Sequence, residues 1–548
     1  MKTIEAKSFG IFPNDEISKK LEALFESLES QDEETTVIFE KGTYHIDAER
    51  SKKRRLVVTN TVGDGEFSKD EVPHLVSTAL YLSRVSNVTL DAGGSVFVVD
   101  GKATNVALEE CENVTLKNLE IRHSHPDMHE LRVLRKGLFS VDFEVDRDSR
   151  CELKEKKLRF VGKGFQSRFS KKAFASGPVA LLIREKEPER VFRVLCPLFS
   201  ATSVSSPEKN VLRVRFPNTS RFKLGDRYYI YDVRRQFVGI FINRCKNVTL
   251  DSVKQRFNYS LALVAQDSEN LKIENVCFAP EEGSARKIAS CADFIQLCSC
   301  RGKITVKNSL FEGAGDDCLN VHGIHFQITA AEKNEATVRF MHPQTHGFNP
   351  FKALDEIAYI DPDTLLEKGR AVVESSELKN EYEIRLRLSG DAPKAGLAVE
   401  NVSACPELVF ENNELGKIVT RGLLITTRGK VLVKNNRFKN TGMSAILLSD
   451  DAKSWFESGM CRRVEIEKNV FEFCGGIPIL IKPENKTYKG AVHKNIKISE
   501  NRFISFKKLC VKASSTDNIT IEKNDFSGRL FKGKNCLNVE IDRKGQKT

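Results

Sequence analysis

Three aspartates carry the strongest chemical signal in the chain. Asp316 and Asp317 are adjacent in the run Gly313-Ala-Gly-Asp-Asp-Cys-Leu-Asn-Val-His-Gly, and Asp293 precedes Asp316 by 23 residues. Neighbouring carboxylates repel one another and lose hydration when they are buried, so a strand-rich stretch has no structural use for such a pair. The pattern therefore indicates an active site or a metal site.

Paired carboxylates are the groups that hydrolyse glycosidic bonds. One carboxylic acid protonates the leaving oxygen, while a second carboxylate acts on the other side of the sugar. Carboxyl groups about 5 Å apart retain the anomeric configuration, whereas groups roughly 6.5–9.5 Å apart admit a water and invert it. The sequence leaves this choice open, because side chains can diverge from the ~4.8 Å spacing of neighbouring strands.

The same residues are also compatible with other roles. The adjacent aspartates fit a calcium site, since β-helix proteins that cleave acidic polysaccharides by elimination use such ions. Asp293 alone fits a solvated turn, and His322 fits a bond to a backbone carbonyl. Strand alternation predicts that Asp316 and Asp317 face opposite sides unless a bulge intervenes, and the flanking glycines favour a bulge.

Repeated phrases describe the scaffold that must position these carboxylates. Asn-Val-Thr-Leu occurs at 87–90, 113–116 and 247–250. Neighbouring repeats lie 23 to 33 residues apart and join Val, Ile, Thr and Phe strands through asparagine bends, which predicts a parallel β-helix. Asparagine tolerates the left-handed turn and can form ladders between coils. A second phrase, Asn-x-Phe or a close variant, ends at Phe311, Phe438, Phe471, Phe503 and Phe526.

This fold puts Asp293 and Asp316 on adjacent coils. An amphipathic helix at residues 14–29 is expected to cap the open end of the core. Two segments lack the asparagine phrases and alternate as antiparallel strands do, so we expect two small β-barrel inserts. The predicted fold is all-β, a right-handed parallel β-helix, in five parts: cap and first coils 1–125, insert 1 at 126–236, central coils with the active site 237–323, insert 2 at 324–404, and C-terminal coils 405–548.

Composition limits the class of protein. With 40% hydrophobic and 29% charged residues the chain is typical of a globular protein. Its net charge of +11 is spread along strands, apart from Lys52-Lys-Arg-Arg55, so no nucleic-acid partner is expected. The sequence has neither a long apolar run nor an evident signal peptide, which predicts no membrane span and a cytoplasmic location, or secretion if a leader was removed. The 14 cysteines occur singly and are expected to be reduced.

The single tryptophan, Trp455, lies in a polar loop beside Asp450, Asp451 and Glu457. A flat indole next to carboxylates suits stacking against the apolar face of a sugar. The neighbouring acids could then contact sugar hydroxyls, or they could simply be solvated. The loop is therefore a candidate sugar-binding element.

Four motifs occur in order along the chain: Phe39-Glu-Lys-Gly-Thr-Tyr-His, Asp316-Asp-Cys-Leu-Asn-Val-His-Gly, Arg421-Gly-Leu-Leu-Ile-Thr-Thr-Arg-Gly-Lys-Val-Leu-Val-Lys-Asn-Asn and Asp451-Ala-Lys-Ser-Trp-Phe-Glu-Ser-Gly. Together they resemble glycoside hydrolase family 110, the α-1,3-galactosidases, and the resemblance extends in order from about residue 8 to 526. Polygalacturonases share the Gly-Asp-Asp element, but their Asn-Thr-Asp and Arg-Ile-Lys phrases are missing here.

The resemblance implies an inverting exo-hydrolase that removes terminal α-1,3-linked galactose, as in blood group B or linear Gal-α-1,3-Gal structures, without a metal or cofactor. Asp316 and Asp317 match the pair expected to orient and deprotonate water, and Asp293 matches the expected general acid. Phe456 stands where a tyrosine is expected, which leaves the preference for branched or linear substrates open. The implied partner is an α-galactosyl glycan, with a homodimer left open. The residues implied to bind the sugar are Asn320, His322, Arg421, Arg428, Trp455 and Glu457.

Two other functions remain open on the sequence alone. One is a different β-helix carbohydrate enzyme, either a polygalacturonase-like hydrolase or a calcium-dependent polysaccharide lyase. The other is a glycan-binding solenoid without catalysis, in which Asp317→Asn would leave every property intact.

Overall fold

The computed structural model describes residues 2–29, 33–61, 74–154, 157–168, 179–184, 189–231, 235–390, 393, 395–504, 506 and 509–542. Most of them form β-strands, and the strands of successive coils pair in parallel, so the predicted all-β parallel β-helix is confirmed. None of the helices in the described part of the chain is long and apolar enough to cross a membrane.

The N-terminal coils and the two inserts hold the following strands. The N-terminal part contains β1 Lys2–Glu5, β2 Thr35–Ile38, β3 Thr43–Asp47, β4 Lys53–Arg55, β5 Leu75–Ser83, β6 Ser86–Asp100, β7 Thr104–Glu109 and β8 Glu112–His123. The inserts contribute β9 His129–Lys136, β10 Ser140–Val145, β11 Arg150–Lys154, β12 Lys157–Gly162, β13 Phe165–Arg168, β14 Val179–Arg184, β15 Arg190–Leu195, β16 Ser203–Glu208, β17 Val211–Arg215 and β18 Arg227–Ile230, and then β29 Phe326–Glu332, β30 Glu335–Arg339, β31 Glu356–Ile360, β32 Glu367–Leu378, β33 Glu383–Leu388 and β34 Ala398–Asn401.

The central and C-terminal coils hold the remaining strands. The central coils contain β19 Ile240–Asn243, β20 Lys246–Asp251, β21 Lys254–Gln255, β22 Leu263–Gln266, β23 Glu269–Glu274, β24 Cys277–Phe278, β25 Ile295–Cys298, β26 Arg301–Lys307, β27 Leu310–Glu312 and β28 Leu319–Ile324. The C-terminal coils contain β35 Glu407–Glu411, β36 Glu414–Ile418, β37 Leu423–Thr426, β38 Lys430–Lys434, β39 Arg437–Thr441, β40 Ile446–Leu448, β41 Glu457–Ser458, β42 Arg463–Glu467, β43 Val470–Glu472, β44 Ile479–Ile481, β45 His493–Ser499, β46 Arg502–Ile504, β47 Leu509–Glu522 and β48 Arg529–Ile541.

The capping helix is shorter than the predicted 14–29. Helix α1 spans Ser18–Glu26 and follows a short 3₁₀ helix at Ala6–Phe9. Asn14 has a left-handed φ of 68° and Glu16 forms a β-bridge with His45, so the chain is extended where the helix was expected to begin. The helix buries its apolar face against the end of the solenoid core through Leu21, Leu24 and Phe25.

One stack of strands separates the core from the functional face. Strands β22, β25, β28, β37, β40 and β44 lie in parallel register, and alternate residues point inward. Burying each inward-pointing aliphatic side chain of this stack contributes about 1.5–3 kcal/mol relative to exposure. The outward residues at the intervening positions include Gln296, Asn320 and Leu424. The fully buried inward row is Leu263, Ile295, Leu319, Leu423, Ile446 and Ile479.

The Asn-x-Phe repeats form the predicted ladder inside the C-terminal coils. Each amide Nδ2 donates to the Oδ1 of the asparagine on the next coil, at 3.0–3.1 Å. The phenylalanines two residues on also stack, with ring centroids 5.1 Å apart for both Phe438–Phe471 and Phe471–Phe503. The ladder satisfies buried amides that would otherwise destabilise the turn. Its members are Asn413, Asn436, Asn469, Asn501 and Asn524.

Insert 2 is the predicted barrel, and insert 1 is not. Strands β29 to β34 close a six-stranded barrel in the order β29-β30-β33-β32-β31-β34. The described strands of insert 1 instead form an open antiparallel sheet, β15-β14-β18-β9-β10-β17-β16, and a separate small sheet, β11-β12-β13. Edge strand β15 lies against solenoid strands β36 and β39, so docking replaces the β15–β16 pairing that would close a barrel.

Candidate active site

The three aspartates meet where β25, β28 and β37 begin. The register pairs Ile295 with Leu319 and Leu319 with Leu423, so Asp293, Asp317 and Arg421 occupy equivalent positions on consecutive coils. The Asp317 amide N–H donates to Asp293 Oδ1 at 3.2 Å. Asp293 therefore stacks beside Asp317, one residue away from the predicted pairing with Asp316, because the coil is 24 residues long at this point.

A bend rather than a bulged strand presents both adjacent carboxylates to the same side. Residues 313–318 lie between β27 and β28, and the Thr420 hydroxyl contacts Asp316 Oδ1 at 3.0 Å and also Asp317 Oδ1. Gly315 is pressed against the preceding coil, where a Cβ would lie 2.4 Å from the Cys291 carbonyl oxygen. A side chain at this position would push the bend outward and move the carboxylates.

Two arginines from outside the solenoid coils hold Asp316. Arg193 Nη2 donates to Asp316 Oδ2 at 2.8 Å, and Arg235 Nη2 donates to the same oxygen at 3.1 Å. Arg193 lies on β15 of insert 1, and Arg235 lies where the chain returns to the solenoid. The Asp316 side chain is 16% exposed, the most accessible of the three aspartates.

Arg421 holds Asp317 from the next coil. Its backbone N–H and its Nε donate to Asp317 Oδ1 at 2.9 and 2.8 Å, and its Nη2 lies 2.7 Å from Oδ2. This is a bidentate guanidinium–carboxylate pair with an added main-chain bond, which fixes the carboxylate plane. The arrangement leaves Asp317 little rotational freedom.

Charge is divided unequally among the three aspartates. Burial raises the pKa of Asp293 well above its ordinary value, and the neighbouring charges of Asp316 and Asp317 raise it further. Burial also raises the pKa of Asp317, against the opposing effect of Arg421. For Asp316, burial is outweighed by Arg193, Arg235 and Arg421, so its pKa is lowered. The cluster thus retains a proton on Asp293 while Asp316 is ionised.

The aspartates form one end of a cleft of about 590 Å³. Of the residues predicted to bind sugar, Asn320, Arg421, Trp455 and Glu457 line it. The other lining residues come from the N-terminal segment, insert 1, the central coils and the C-terminal coils: Asn60, Arg193, Arg235, Asp293, Asp316, Asp317, Thr420, Leu424, Thr426, Met443, Leu447, Ser449, Asp451, Lys453, Ser454 and Glu484.

His322 lies behind the cleft surface. Its Nε2 is 2.6 Å from Gln296 Nε2, and its Nδ1 is 2.7 Å from the Gly323 carbonyl oxygen. Nδ1 therefore donates to the carbonyl, and Nε2 lies against the Gln296 side-chain amide. The bond to a backbone carbonyl that the sequence allowed for His322 is present, so His322 does not line the cleft as its predicted sugar-binding role requires and instead supports the strand that carries Asn320.

The Trp455 loop is organised by Asp451. The Asp451 carboxylate accepts the backbone N–H groups of Lys453, Ser454 and Trp455, the last at 2.6 Å. The indole is 49% exposed and stacks on the His342 ring of insert 2, with centroids 4.5 Å apart and an interplanar angle of 24°. One face of the indole is thus covered by His342, while the loop as a whole lines the cleft.

Glu457, two residues beyond the tryptophan, accepts a hydrogen bond from Asn320 Nδ2 at 2.9 Å. This bond links the Trp455 loop to strand β28, which follows the aspartate bend. Glu457 belongs to the two-residue strand β41, which pairs with the end of β28. The side chain is largely buried, so Asn320 and Glu457 form a fixed polar surface in the cleft.

Arg428 lies outside the cleft, contrary to its predicted sugar-binding role. Its Nη2 lies 2.7 Å from Glu400 Oε2 and its Nη1 3.0 Å from Glu367 Oε2, and the side chain is 7% exposed. Arg428 follows β37 past a turn, and this turn directs it toward insert 2 instead of the aspartates. The residue anchors the barrel to the solenoid.

Several cleft residues have no signal in the sequence. Arg193 and Arg235 belong to or border an insert whose docking is not encoded in the coil repeat. Asn60 reaches the cleft from the N-terminal part, where its N–H donates to the Gln344 carbonyl at 2.7 Å. Thr420 could have been found, because it directly precedes the Arg421 motif. Across the described residues, no group of three or more His, Cys, Asp and Glu side chains is arranged to hold a metal ion.

Comparison with known proteins defines the class and then the family. Residues 421–542 match the model of the right handed beta helix region, and residues 335–398 match GLAA-B beta-barrel domain II. An exopolygalacturonase of Thermotoga maritima superposes with a TM-score of 0.41 at 11% identity, covering 98% of this chain and 92% of that chain.

Curated relatives extend over nearly the whole chain. Alpha-1,3-galactosidase A of Bacteroides thetaiotaomicron is 34% identical over 92% of this chain and 88% of its own length. Alpha-1,3-galactosidase B of Phocaeicola vulgatus is 28% identical over 95% of this chain and 89% of its own length. The chain is thus a β-helix glycoside hydrolase. It belongs to glycoside hydrolase family 110, the α-1,3-galactosidases.

Proposed function

We propose that the cleft removes terminal α-1,3-linked galactose from glycans by exo-acting hydrolysis with inversion of configuration. The observation that carries this proposal is the unequal charge of the aspartates, because acid-assisted hydrolysis of a glycosidic bond needs one protonated and one ionised carboxyl group at the same time, and inversion is what the family resemblance implies. The pKa of Asp293 is raised well above its ordinary value and that of Asp316 is lowered. The names of the relatives support the substrate and the linkage.

In this mechanism Asp293 donates its proton to the departing glycosidic oxygen. Asp317, together with Asp316, accepts a proton from the water that attacks the anomeric carbon from the opposite side. The C–O bond to the leaving sugar breaks as the new C–O bond forms, and the product is β-galactose. Arg193, Arg235 and Arg421 keep Asp316 from taking up the proton that Asp293 must carry, and Arg421 opposes protonation of Asp317.

Exo action is supported by what encloses the cleft. Arg193 and Arg235 border it on the side of insert 1, while Asn60 and the Trp455 loop border it elsewhere. A cleft bounded by such separate segments suits a chain end better than the interior of a polysaccharide. We propose that Trp455 stacks on a sugar ring and that Asn320, Arg421 and Glu457 bond to hydroxyls.

The proposal is tested by incubating the protein with Gal-α-1,3-Gal and following the anomeric protons by NMR. β-Galactose as the first product is expected. α-Galactose as the first product would contradict inversion, and absence of galactose would contradict the substrate. Gal-α-1,4-Gal serves as the linkage control, and a longer glycan that ends in α-1,3-galactose should release only the monosaccharide.

Asparagine variants of the three aspartates assign the roles. Each should reduce kcat by about 10²- to 10⁴-fold, the usual contribution of a positioned acid or base. An aryl α-galactoside, whose leaving group needs no proton, should recover activity only in the variant that has lost the acid, and we expect this to be Asp293→Asn. Recovery in Asp316→Asn instead would reverse the assignment.

A further inference from the structure

The Asp316 carboxylate is held mainly by residues that the solenoid does not supply. Its Oδ2 receives Arg193 at 2.8 Å and Arg235 at 3.1 Å, whereas the solenoid contributes only the Thr420 hydroxyl to Oδ1. Asp317 is different, because Arg421 of the next coil satisfies both of its oxygens. The two adjacent aspartates therefore depend on different parts of the chain.

Arg193 also holds the backbone of the bend. The same Nη2 that donates to Asp316 donates to the Gly315 carbonyl oxygen at 3.1 Å. On the inner side, Gly315 is in close contact with the carbonyl of Cys291, so the bend cannot move inward. Arg193 contacts the outer side, and the bend is fixed between the preceding coil and the guanidinium group.

A partly buried ion-pair cluster docks β15 next to this bend. Lys417 of β36 lies 3.2 Å from Glu189, which immediately precedes β15, and it also contacts Glu312, the last residue before the bend. The Lys417 side chain is 15% exposed. Lys417 thus joins the strand that carries Arg193 to the strand that leads into Asp316.

We infer that insert 1 completes the active site, with Arg193 as a positioning residue that fixes the Asp316 carboxylate and its bend, and with Lys417 docking the strand that carries Arg193. The inference rests on the proposed function for its catalytic consequence. Arg193 acts through Asp316, so its loss should affect the chemical step more than the binding of substrate.

Arg193 also affects the charge of Asp316. Removal of one of its cations favours the protonated form of Asp316, so the pKa of this carboxyl rises and the acidic limb of the kcat/KM profile moves to higher pH. Lysine at position 193 keeps a positive charge and should retain part of the effect. The charged and titratable groups that face Asp316 are Arg193, Arg235, Arg421, Asp293, Asp317 and Tyr231.

The test compares wild type with Arg193→Gln, Arg193→Lys and the control Arg215→Gln, on β17 of the same insert. Arg193→Gln should lower kcat by about 10- to 100-fold, as expected for loss of a charge-assisted hydrogen bond, with KM nearly unchanged. Arg193→Lys should recover part of kcat, and Arg215→Gln should match wild type. An increase in KM alone, or an acidic limb that does not move, would overturn the inference.

A double-mutant cycle tests the docking cluster. Lys417→Gln should lower kcat by itself, and it should have no further effect in the Arg193→Gln background, because both substitutions act through the same contact. Additive effects of the two substitutions would contradict a shared role. Thermal unfolding of each variant checks that the protein remains folded.

Crystal structures of wild type and Arg193→Gln give a readout that needs no turnover. The Gly315–Asp316 bend and the Asp316 side chain should be displaced in the variant, and an unchanged Asp316 would overturn the inference. If wild type released no galactose while the bend moved as expected, the proposed function would fail and the positioning role of Arg193 would stand.

Discussion

The two inserts are attached to the solenoid in similar ways but contribute differently to the cleft. Each is anchored by a buried arginine: Arg286 bonds Asp148 of insert 1 at 2.8 and 2.9 Å, and Arg428 lies 2.7 Å from Glu400 of insert 2. Insert 1 brings Arg193 to the aspartate cluster. Insert 2 brings His342 to Trp455 and reaches no aspartate of the cluster.

This difference separates two tasks that one enzyme must perform. The cations at insert 1 act on the charge and orientation of Asp316, which bears on kcat and its pH dependence. The residues of insert 2 support the loop with Asp451, Trp455 and Glu457, which bears on how firmly the sugar is held. Variants on the two sides should therefore change different kinetic constants.

The largest expected effect is on stability, at the anchor of insert 2. Arg428→Met leaves Glu400 buried without its cation, and the free energy of unfolding should fall by about 3–5 kcal/mol. Urea denaturation followed by circular dichroism measures the loss. Arg387→Met removes an exposed pair with Glu374 on the same barrel and should cost at most about 1 kcal/mol. Equal losses in both variants would show that Arg428 is not an anchor.

Removal of the indole should be the largest effect on binding. Trp455→Ala should raise KM by about 10- to 100-fold, the equivalent of losing a buried aromatic contact, while kcat changes much less. Initial rates over a range of Gal-α-1,3-Gal concentrations separate the two constants. Phe139→Ala, which removes an exposed aromatic ring of insert 1, is the control. A fall in kcat alone would assign Trp455 to the chemical step instead.

A buried histidine makes the support of the Trp455 loop depend on pH. His325 Nε2 lies 2.7 Å from Asp450 Oδ1 and both side chains are fully buried. Burial alone would lower the pKa of His325, but Asp450 and Glu400 outweigh it and the pKa is raised. The stability that protonated His325 contributes is therefore fully present below its unfolded pKa of about 6.5 and is lost as pH rises through the folded value.

His325→Gln tests this dependence. The difference in unfolding free energy between wild type and variant should be about 1.5–3 kcal/mol in acid, the value of a hydrogen bond to a charged group, and should shrink as pH rises. Urea denaturation at several pH values measures it. A difference that grows with pH would mean that His325 is neutral in the folded protein.

The smallest effect is expected at the ring stacked on Trp455. His342→Ala removes one aromatic pair, and KM should rise by about 2- to 10-fold with kcat unchanged. The same kinetic assay as for Trp455→Ala applies, and in the absence of the indole the substitution should have no further effect. A change in the acidic limb of the pH profile would show that insert 2 also affects the charge of Asp316, contrary to the difference between the inserts.

The coil repeat explains which site residues could be predicted from sequence. The adjacent carboxylates of Asp316 and Asp317 indicate a site by themselves, and the coil spacing then places Asp293 beside them, while Arg421 occupies the same position one coil later. The sequence predicts that Asp293 lies beside Asp316, whereas the structure places it beside Asp317. The error is one residue, because coil length varies and the period alone does not set the register. The asparagine ladder was predictable because each repeat carries its own asparagine.

Contacts that depend on how the inserts pack against the solenoid could not be predicted from the coil repeat. Arg193 reaches Asp316 only through the docking of insert 1, and no local pattern specifies where an insert packs. Arg428 belongs to the same motif as Arg421, yet a strand and a turn separate them, and the turn faces insert 2. A closed barrel was predicted for insert 1 from the alternation of polar and apolar residues along its strands. This alternation shows which face of a sheet is buried, but it does not show whether the two edge strands pair.

The asparagine ladder has a consequence for how this molecule can change over evolution. Each asparagine bonds to its copies on adjacent coils, with side-chain bonds of 3.0–3.1 Å, and donates to a main-chain carbonyl of the preceding coil. The interaction is therefore of nearest-neighbour type, and a whole coil can be gained or lost at the C-terminal end without altering the register of the coils that remain. The catalytic coils have no such freedom, because each contributes a different residue to one cluster. Coils can therefore be added or lost beyond the cleft, whereas the coils that carry Asp293, Asp317 and Arg421 must all be kept.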